Sequence, residues 1–133
     1  MAANNNPHFS FWLVAIVGLL WNLAGCFNYI VQTNPDSVAR MPEIYQLIIN
    51  SRPGWATAAF GVAVFAGSVG CILLLLRRRV AVPVFVLSML GIIGTAVFTM
   101  MVVGLSPVVI LTLMIGAALL WYSTIAKRAG WLK

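Results

Sequence analysis

The chain has 133 residues, of which 62% are hydrophobic and only 8% are charged. Soluble domains are about one quarter charged, so this chain has too few polar side chains to cover a surface exposed to water. Eight Lys and Arg residues against two acidic residues give a net charge of +6. These cations interrupt apolar runs and do not gather on a polar face, as they would in a nucleic-acid-binding protein. The composition therefore excludes a soluble protein and a nucleic-acid partner, and it indicates an integral membrane protein.

Four apolar stretches are each long enough to cross a bilayer. A hydrocarbon core about 30 Å thick takes roughly 20 helical residues, and none of the four stretches contains Asp, Glu, Lys, Arg or His. The strands of a membrane barrel would be shorter and would alternate in polarity. We therefore predict an all-α fold, a transmembrane four-helix bundle that forms a single domain over residues 1–133. The predicted spans cover residues 9–31, 54–76, 80–103 and 107–126.

The connection over residues 32–53 is the longest between two predicted spans. Asn34-Pro35-Asp36 predicts a turn, and Met41-Pro42-Glu43 predicts a helix start with proline at the first helical position. Apolar residues then recur at helical spacing, which predicts a short external amphipathic helix that lies on the outer membrane surface or caps the bundle. This helix could be an interfacial anchor, a lid or a docking element. The recurring residues are Met41, Ile44, Tyr45 and Ile48.

Only three arginines, Arg77, Arg78 and Arg79, separate the second predicted span from the third, so these spans must form a tight antiparallel hairpin. Loops rich in Lys and Arg face the cytoplasm, and this turn and the chain after the fourth span hold six of the eight cations. The connection over residues 32–53 has two cations and two acidic residues. We therefore expect the three arginines to determine the topology and both termini to be cytoplasmic.

The first predicted span is the most polar of the four. On a helical wheel, Asn28 and Gln32 share one face, and Asn22 and Tyr29 share the neighbouring face. An amide in hydrocarbon must find a partner, so we predict that these four residues form a polar face or an interface. They could hold helices in register through hydrogen bonds, or they could line a solute path or a polar ligand pocket. Near the outer interface, water could also satisfy Asn28 and Gln32.

Small residues recur at every fourth position of the second predicted span, where they form a candidate helix-packing seam of Ala59, Ala63, Gly67 and Cys71. Small side chains at this spacing let two helix backbones approach closely. The third predicted span has a comparable stripe of Ser88, Gly91 and Thr95. The pattern is typical of packing inside a four-helix bundle and also of an interface with a second subunit.

The sequence has few groups that could perform catalysis. Acid–base catalysis requires positioned titratable side chains, but the chain has one histidine, His8, and its only two acidic residues lie in one connection. No metal-ligand spacing and no phosphate-binding glycine loop occurs, so we expect no enzymatic activity, no cofactor and no metal. Ion-coupled transporters usually carry an ionisable residue within the membrane, and the predicted spans have none.

Three segments in chain order carry a distinctive pattern. They are Leu19-Leu20-Trp21-Asn22-Leu23-x-Gly25 with Tyr29-x-x-Gln32, the stretch from Trp55 to Arg78, and Ala81-x-Pro83-Val84-Phe85-x-Leu87-Ser88. Together they resemble a family of small uncharacterised bacterial four-span inner-membrane proteins, often loosely labelled sugar transporters. The resemblance covers roughly residues 10–100. It implies a multi-pass protein of the bacterial inner membrane and assigns no site residue.

These features predict a non-enzymatic membrane protein. We expect an accessory, structural or interaction subunit that packs within a larger membrane complex or a homo-oligomer. The alternative is an uncoupled transporter of a small neutral solute such as a sugar, which the amides of the first span would contact. The expected partners are membrane lipids and other membrane protein subunits or a second copy of the chain.

Overall fold

In a computed structural model, which describes residues 6–133, the chain folds into six helices with no strand among the described residues. Four of the helices are long and apolar enough to cross a membrane. This confirms the all-α prediction and a multi-pass membrane protein, while residues 1–5 of the predicted domain lie outside the described residues. The helices are α1 (Phe9–Val31), α2 (Pro35–Ala39), α3 (Glu43–Ser51), α4 (Gly54–Leu75), α5 (Ala81–Val103) and α6 (Pro107–Arg128).

The observed spans agree with the predicted ones to within two residues. The second span ends one residue early, because α4 is closed by Arg77 in the left-handed conformation, with a φ of 58°. The Arg77 N–H donates to the Leu74 carbonyl oxygen and the Arg78 N–H to the Leu73 carbonyl oxygen, both at 2.9 Å. These two bonds form a Schellman motif, which satisfies carbonyl groups that a helix end leaves free.

The fourth span is two residues longer than predicted, because Lys127 and Arg128 continue α6. Cations are favourable in the last turn of a helix, where they interact with the negative end of its dipole. Gly130, with a φ of 79°, then ends the helix, and the Trp131 N–H donates to the Ala126 carbonyl oxygen at 3.0 Å. The chain therefore turns back towards the bundle after α6.

Helix α4 lies at the centre of the packing, since it contacts α1 on one side and α5 on the other. Helix α6 packs on α5 and touches α1 less extensively. The α4–α5 contact is closest at Gly91, where an added Cβ would lie 2.6 Å from the Ala59 carbonyl oxygen and the Ala63 nitrogen. Ser88 Oγ donates to the Ala63 carbonyl oxygen at 2.7 Å across the same contact. The two backbones can meet this closely because the residues between them are small.

The chain has two distinct ends, which we call the basic end (residues 6–10, 76–80 and 127–133) and the loop end (residues 32–53 and 104–106). At the loop end, the predicted turn at Asn34 is the start of α2, and Asn34 Oδ1 caps this helix by accepting from the Asp36 N–H at 3.0 Å. The predicted amphipathic helix is α3. It begins one residue later than expected, with Pro42 as the N-cap residue and not the first helical residue, and none of its residues is buried.

Candidate functional site

Asn22, the central amide of α1, is packed against α4. Its side chain is only 7% exposed. Its Nδ2 group donates to the Gly18 carbonyl oxygen at 2.8 Å and to Cys71 Sγ at 3.9 Å. A Cβ atom at Gly67 would overlap Asn22 Oδ1, so glycine leaves the room that the amide occupies. Asn22 is therefore enclosed between two helices.

A second polar contact joins α1 to α4 one turn further along. Cys26 Sγ donates to the Val64 carbonyl oxygen at 3.4 Å and lies 3.3 Å from Ser68 Oγ. Ser68 Oγ donates to the same carbonyl oxygen at 2.8 Å. Both Cys26 and Cys71 are free and buried. Polar groups at this depth need protein partners, and these contacts hold α1 in register with α4.

Tyr29 and Asn28 differ in their surroundings, although they are adjacent in sequence. The Tyr29 ring packs against α4, with its centroid 5.6 Å from that of Phe60 and 5.5 Å from that of Phe65. Asn28 is exposed on the outer surface of α1, as is Trp21 two turns earlier. Asn22 and Tyr29 therefore meet α4, whereas Asn28 points away from the bundle.

Gln32 lies at the loop end, apart from the other amides. Its Oε1 atom accepts a hydrogen bond from Arg52 Nη1 at 3.0 Å, and the Arg52 guanidinium lies over the Phe60 ring, 5.1 Å from its centroid. Burial lowers the pKa of Arg52 from its ordinary value, and the neighbouring Tyr29 opposes this effect. An arginine stays charged despite such a shift. This contact ties the end of α3 to the end of α1.

Two open surface clefts of residues 6–133 lie at opposite ends of the bundle. The cleft at the loop end has a volume of about 230 Å³, and its polar lining residues are all neutral. The cleft at the basic end has a volume of about 390 Å³ and lies between α5 and α6. Neither is lined by Asn22 or Asn28. The polar lining of the first is Gln32, Thr33, Gln46 and Asn50.

The small residues of α4 pack against other helices of the same chain. Ala63, Gly67 and Cys71 are buried and Ala59 is half-buried, because α5 covers one side of the stripe and α1 the other. At Gly70, an added Cβ would lie 2.8 Å from the Phe85 ring of α5. A partner subunit would therefore have to dock on another face of the molecule.

The three predicted topology arginines lie in the turn at the basic end, where two of them contact the end of the chain. Arg77 Nε donates to the Trp131 carbonyl oxygen at 2.8 Å, and Arg79 Nε donates to the Leu132 carbonyl oxygen at 3.4 Å. The backbone groups also pair. The Lys133 N–H donates to the Arg77 carbonyl oxygen at 2.7 Å, and the Arg79 N–H donates to the Lys133 carbonyl oxygen at 3.0 Å. We call residues 131–133 the docked tail.

The docked tail also contributes to a hydrophobic core at the basic end. Leu132 is 2% exposed, and the Trp131 ring packs edge-on against Phe11, with the ring centroids 5.9 Å apart. Ser10 Oγ and the Tyr122 hydroxyl share a hydrogen bond of 2.7 Å, which joins α1 to α6. The docked tail was not among the elements predicted from the sequence. The signal for it is the apolar pair after Gly130, since a hydrophobic contact frequently accompanies a Schellman motif.

The side chains described above offer hydrogen-bonding and packing groups. Within residues 6–133, His, Cys, Asp and Glu do not gather in threes as ligands of a metal ion would. No family model, curated protein or solved structure matches the chain.

Proposed function

We propose that this membrane protein is a non-enzymatic accessory or interaction subunit, which packs within a larger membrane complex or against a second copy of itself. The observation that carries the proposal is the division of the amides of α1. Asn22 is enclosed and bonded within the chain, whereas Asn28 points outward beside an apolar surface. An outward amide on a span favours a polar partner, and a neighbouring subunit can provide one.

The small share of the chain that lies outside the four spans supports the same role. Four spans account for most of the 133 residues, and within residues 6–133 the parts outside the spans form two short helices and short connections. A protein of this shape has little surface for soluble partners. Its contacts are with lipids and with other membrane helices.

Site-specific photo-cross-linking in native membranes tests the proposal. A photoreactive amino acid replaces Trp21, which is 39% exposed on the Asn28 face. The control variant carries it at Met101, which is 75% exposed on α5. We expect a discrete protein adduct from position 21 and a weaker one or none from position 101. If neither position gives a protein adduct, the proposed interface is wrong.

A second candidate function is the uncoupled passage of a small neutral solute such as a sugar. The loop-end cleft favours it, because its amides and hydroxyl groups are neutral hydrogen-bonding groups of the kind that orient small ligands. Uptake of a labelled sugar into liposomes tests this role. Under this second candidate, uptake should fall when Gln46→Ala alters the cleft. The accessory role predicts no uptake above that of empty liposomes.

We further propose that the protein resides in the bacterial inner membrane with its basic end in the cytoplasm. The concentration of cations at that end supports this orientation. The resemblance to small bacterial four-span proteins supports the assignment to the bacterial inner membrane. A fluorescent protein that matures only in the cytoplasm, fused after Lys133, tests the orientation. We expect fluorescent cells. A fusion that is stably expressed but not fluorescent would show that the basic end lies outside the cytoplasm.

A further inference from the structure

We propose that the cleft at the basic end binds the phosphate of an anionic phospholipid headgroup. The cleft lies between the start of α5 and the end of α6 and has a volume of about 390 Å³. Three cationic side chains, one hydroxyl side chain and one apolar side chain line it. These are Arg79, Lys127, Arg128, Thr124 and Val82.

The positive charge of this cleft has no acidic side chain of the chain to balance it. The only two acidic residues, Asp36 and Glu43, lie at the loop end, on the far side of the bundle. Arg79 uses its Nε donor on the Leu132 carbonyl oxygen. Because a guanidinium has five N–H donors, this leaves those of its two Nη groups for a ligand. A phosphate is the complementary group, since arginine and lysine recognise it through charge-assisted hydrogen bonds.

Favourable interaction with a helix dipole accounts for the positions of only some of these cations. Lys127 and Arg128 lie in the last turn of α6, where cations are favourable. Arg79 instead precedes the start of α5, whose N-cap residue is Val80, and a cation is unfavourable at that end of a helix. An anion in the cleft would offset this cost.

The depth of the cleft matches the headgroup layer of a bilayer. The 20 residues of α6 from Pro107 to Ala126 rise about 30 Å, the thickness of the hydrocarbon core. Lys127 and Arg128 therefore lie just beyond the hydrocarbon. Trp121, which is 66% exposed, lies about 9 Å deeper along the axis, at a level where aromatic residues anchor membrane helices.

An exposed apolar surface continues from the cleft into the membrane. Val82 lines the cleft, and Val86 and Leu90 follow on the same face of α5 with exposures of 43% and 61%. Acyl chains would lie along this face while the phosphate occupies the cleft. The apolar continuation favours a lipid over a soluble phosphate or an acidic peptide, neither of which would use it.

Native mass spectrometry of the full-length chain in detergent tests the proposal, with phosphatidylglycerol and phosphatidylcholine added in equal amounts. We expect preferential retention of phosphatidylglycerol. A variant with Lys127→Gln and Arg128→Gln should bind it about 25-fold more weakly, or about fivefold for each cation. Both side chains are exposed, so the variant should keep its helical circular dichroism. Lys127→Arg should retain binding, and the matched control Arg40→Gln removes an exposed cation at the loop end and should leave it unchanged.

Three results would overturn the proposal. Equal retention of the two lipids would show that the cleft does not select an anionic headgroup. An equal loss of binding in Arg40→Gln would show an effect of net charge alone. Displacement of phosphatidylglycerol by millimolar inorganic phosphate would assign the cleft to a free anion and not to a lipid.

Discussion

Replacing Gly91 by alanine should force α5 away from α4. The new Cβ would lie 2.6 Å from the Ala59 carbonyl oxygen and from the Ala63 nitrogen, which are backbone atoms that no rotamer change can move. Ordinary contact begins at 3.4 Å, so the helices would have to separate by about 0.8 Å. The 2.7 Å bond from Ser88 Oγ to the Ala63 carbonyl oxygen would then lengthen to about 3.5 Å and be lost.

Gly61→Ala is the matched control, because its Cβ would lie 3.4 Å from the Tyr29 ring and meet no closer atom. Alanine raises helix propensity at both positions, so this gain cancels when the two variants are compared. Overpacking of a closed contact costs about 1–3 kcal/mol, and we expect Gly91→Ala to be less stable than Gly61→Ala by that amount. Unfolding in mixed micelles with increasing dodecyl sulfate, followed by circular dichroism, measures the difference. Equal midpoints for the two variants would refute the close α4–α5 contact.

The other predictions concern the basic end and use the same unfolding titration. Leu132→Ala should lower the free energy of unfolding by about 2–5 kcal/mol, because Leu132 is 2% exposed; an unchanged midpoint would mean that the tail does not dock. A double-mutant cycle with Ser10→Ala and Tyr122→Phe should give a coupling energy of about 0.6 kcal/mol for their 2.7 Å bond, and strict additivity would contradict that bond. Arg77→Ala should cost about 1–2 kcal/mol, because it loses the 2.8 Å bond to the tail, whereas Arg78→Ala should change stability by less than about 0.5 kcal/mol. A similar loss of stability in both arginine variants would show that the contact of the Arg77 side chain with the tail does not stabilise the fold.

The spans were predictable because the bilayer sets their length and excludes charge from them. Apolar runs bounded by cations or turn residues place the helix ends to within two residues, and the remaining differences have local causes. At α4 the cause is Arg77, which closes the helix in a conformation that glycine usually adopts. At α6 it is the favourable position of Lys127 in the last turn. A hydropathy pattern records neither effect.

The surroundings of each polar residue in and after α1 could not be predicted from the sequence. The wheel groups Asn22 with Tyr29, and both contact α4. It also groups Asn28 with Gln32, but Asn28 is exposed whereas Gln32 is bonded to Arg52. Which face is covered depends on the space that Gly67 leaves on α4, a tertiary property. The docked tail could not be predicted from hydrophobic periodicity, because three residues after Gly130 are too few to show a helical or strand repeat.

We propose that this protein acts in the membrane as a packing partner of other subunits or of a second copy of itself. The most direct test is the mass of the particle extracted from native membranes with a lipid-preserving polymer, measured together with its subunit composition. We expect a stoichiometric complex with another membrane subunit or with further copies of the 14.4 kDa chain. Recovery of isolated single chains, under conditions that keep a known membrane complex from the same cells intact, would contradict it.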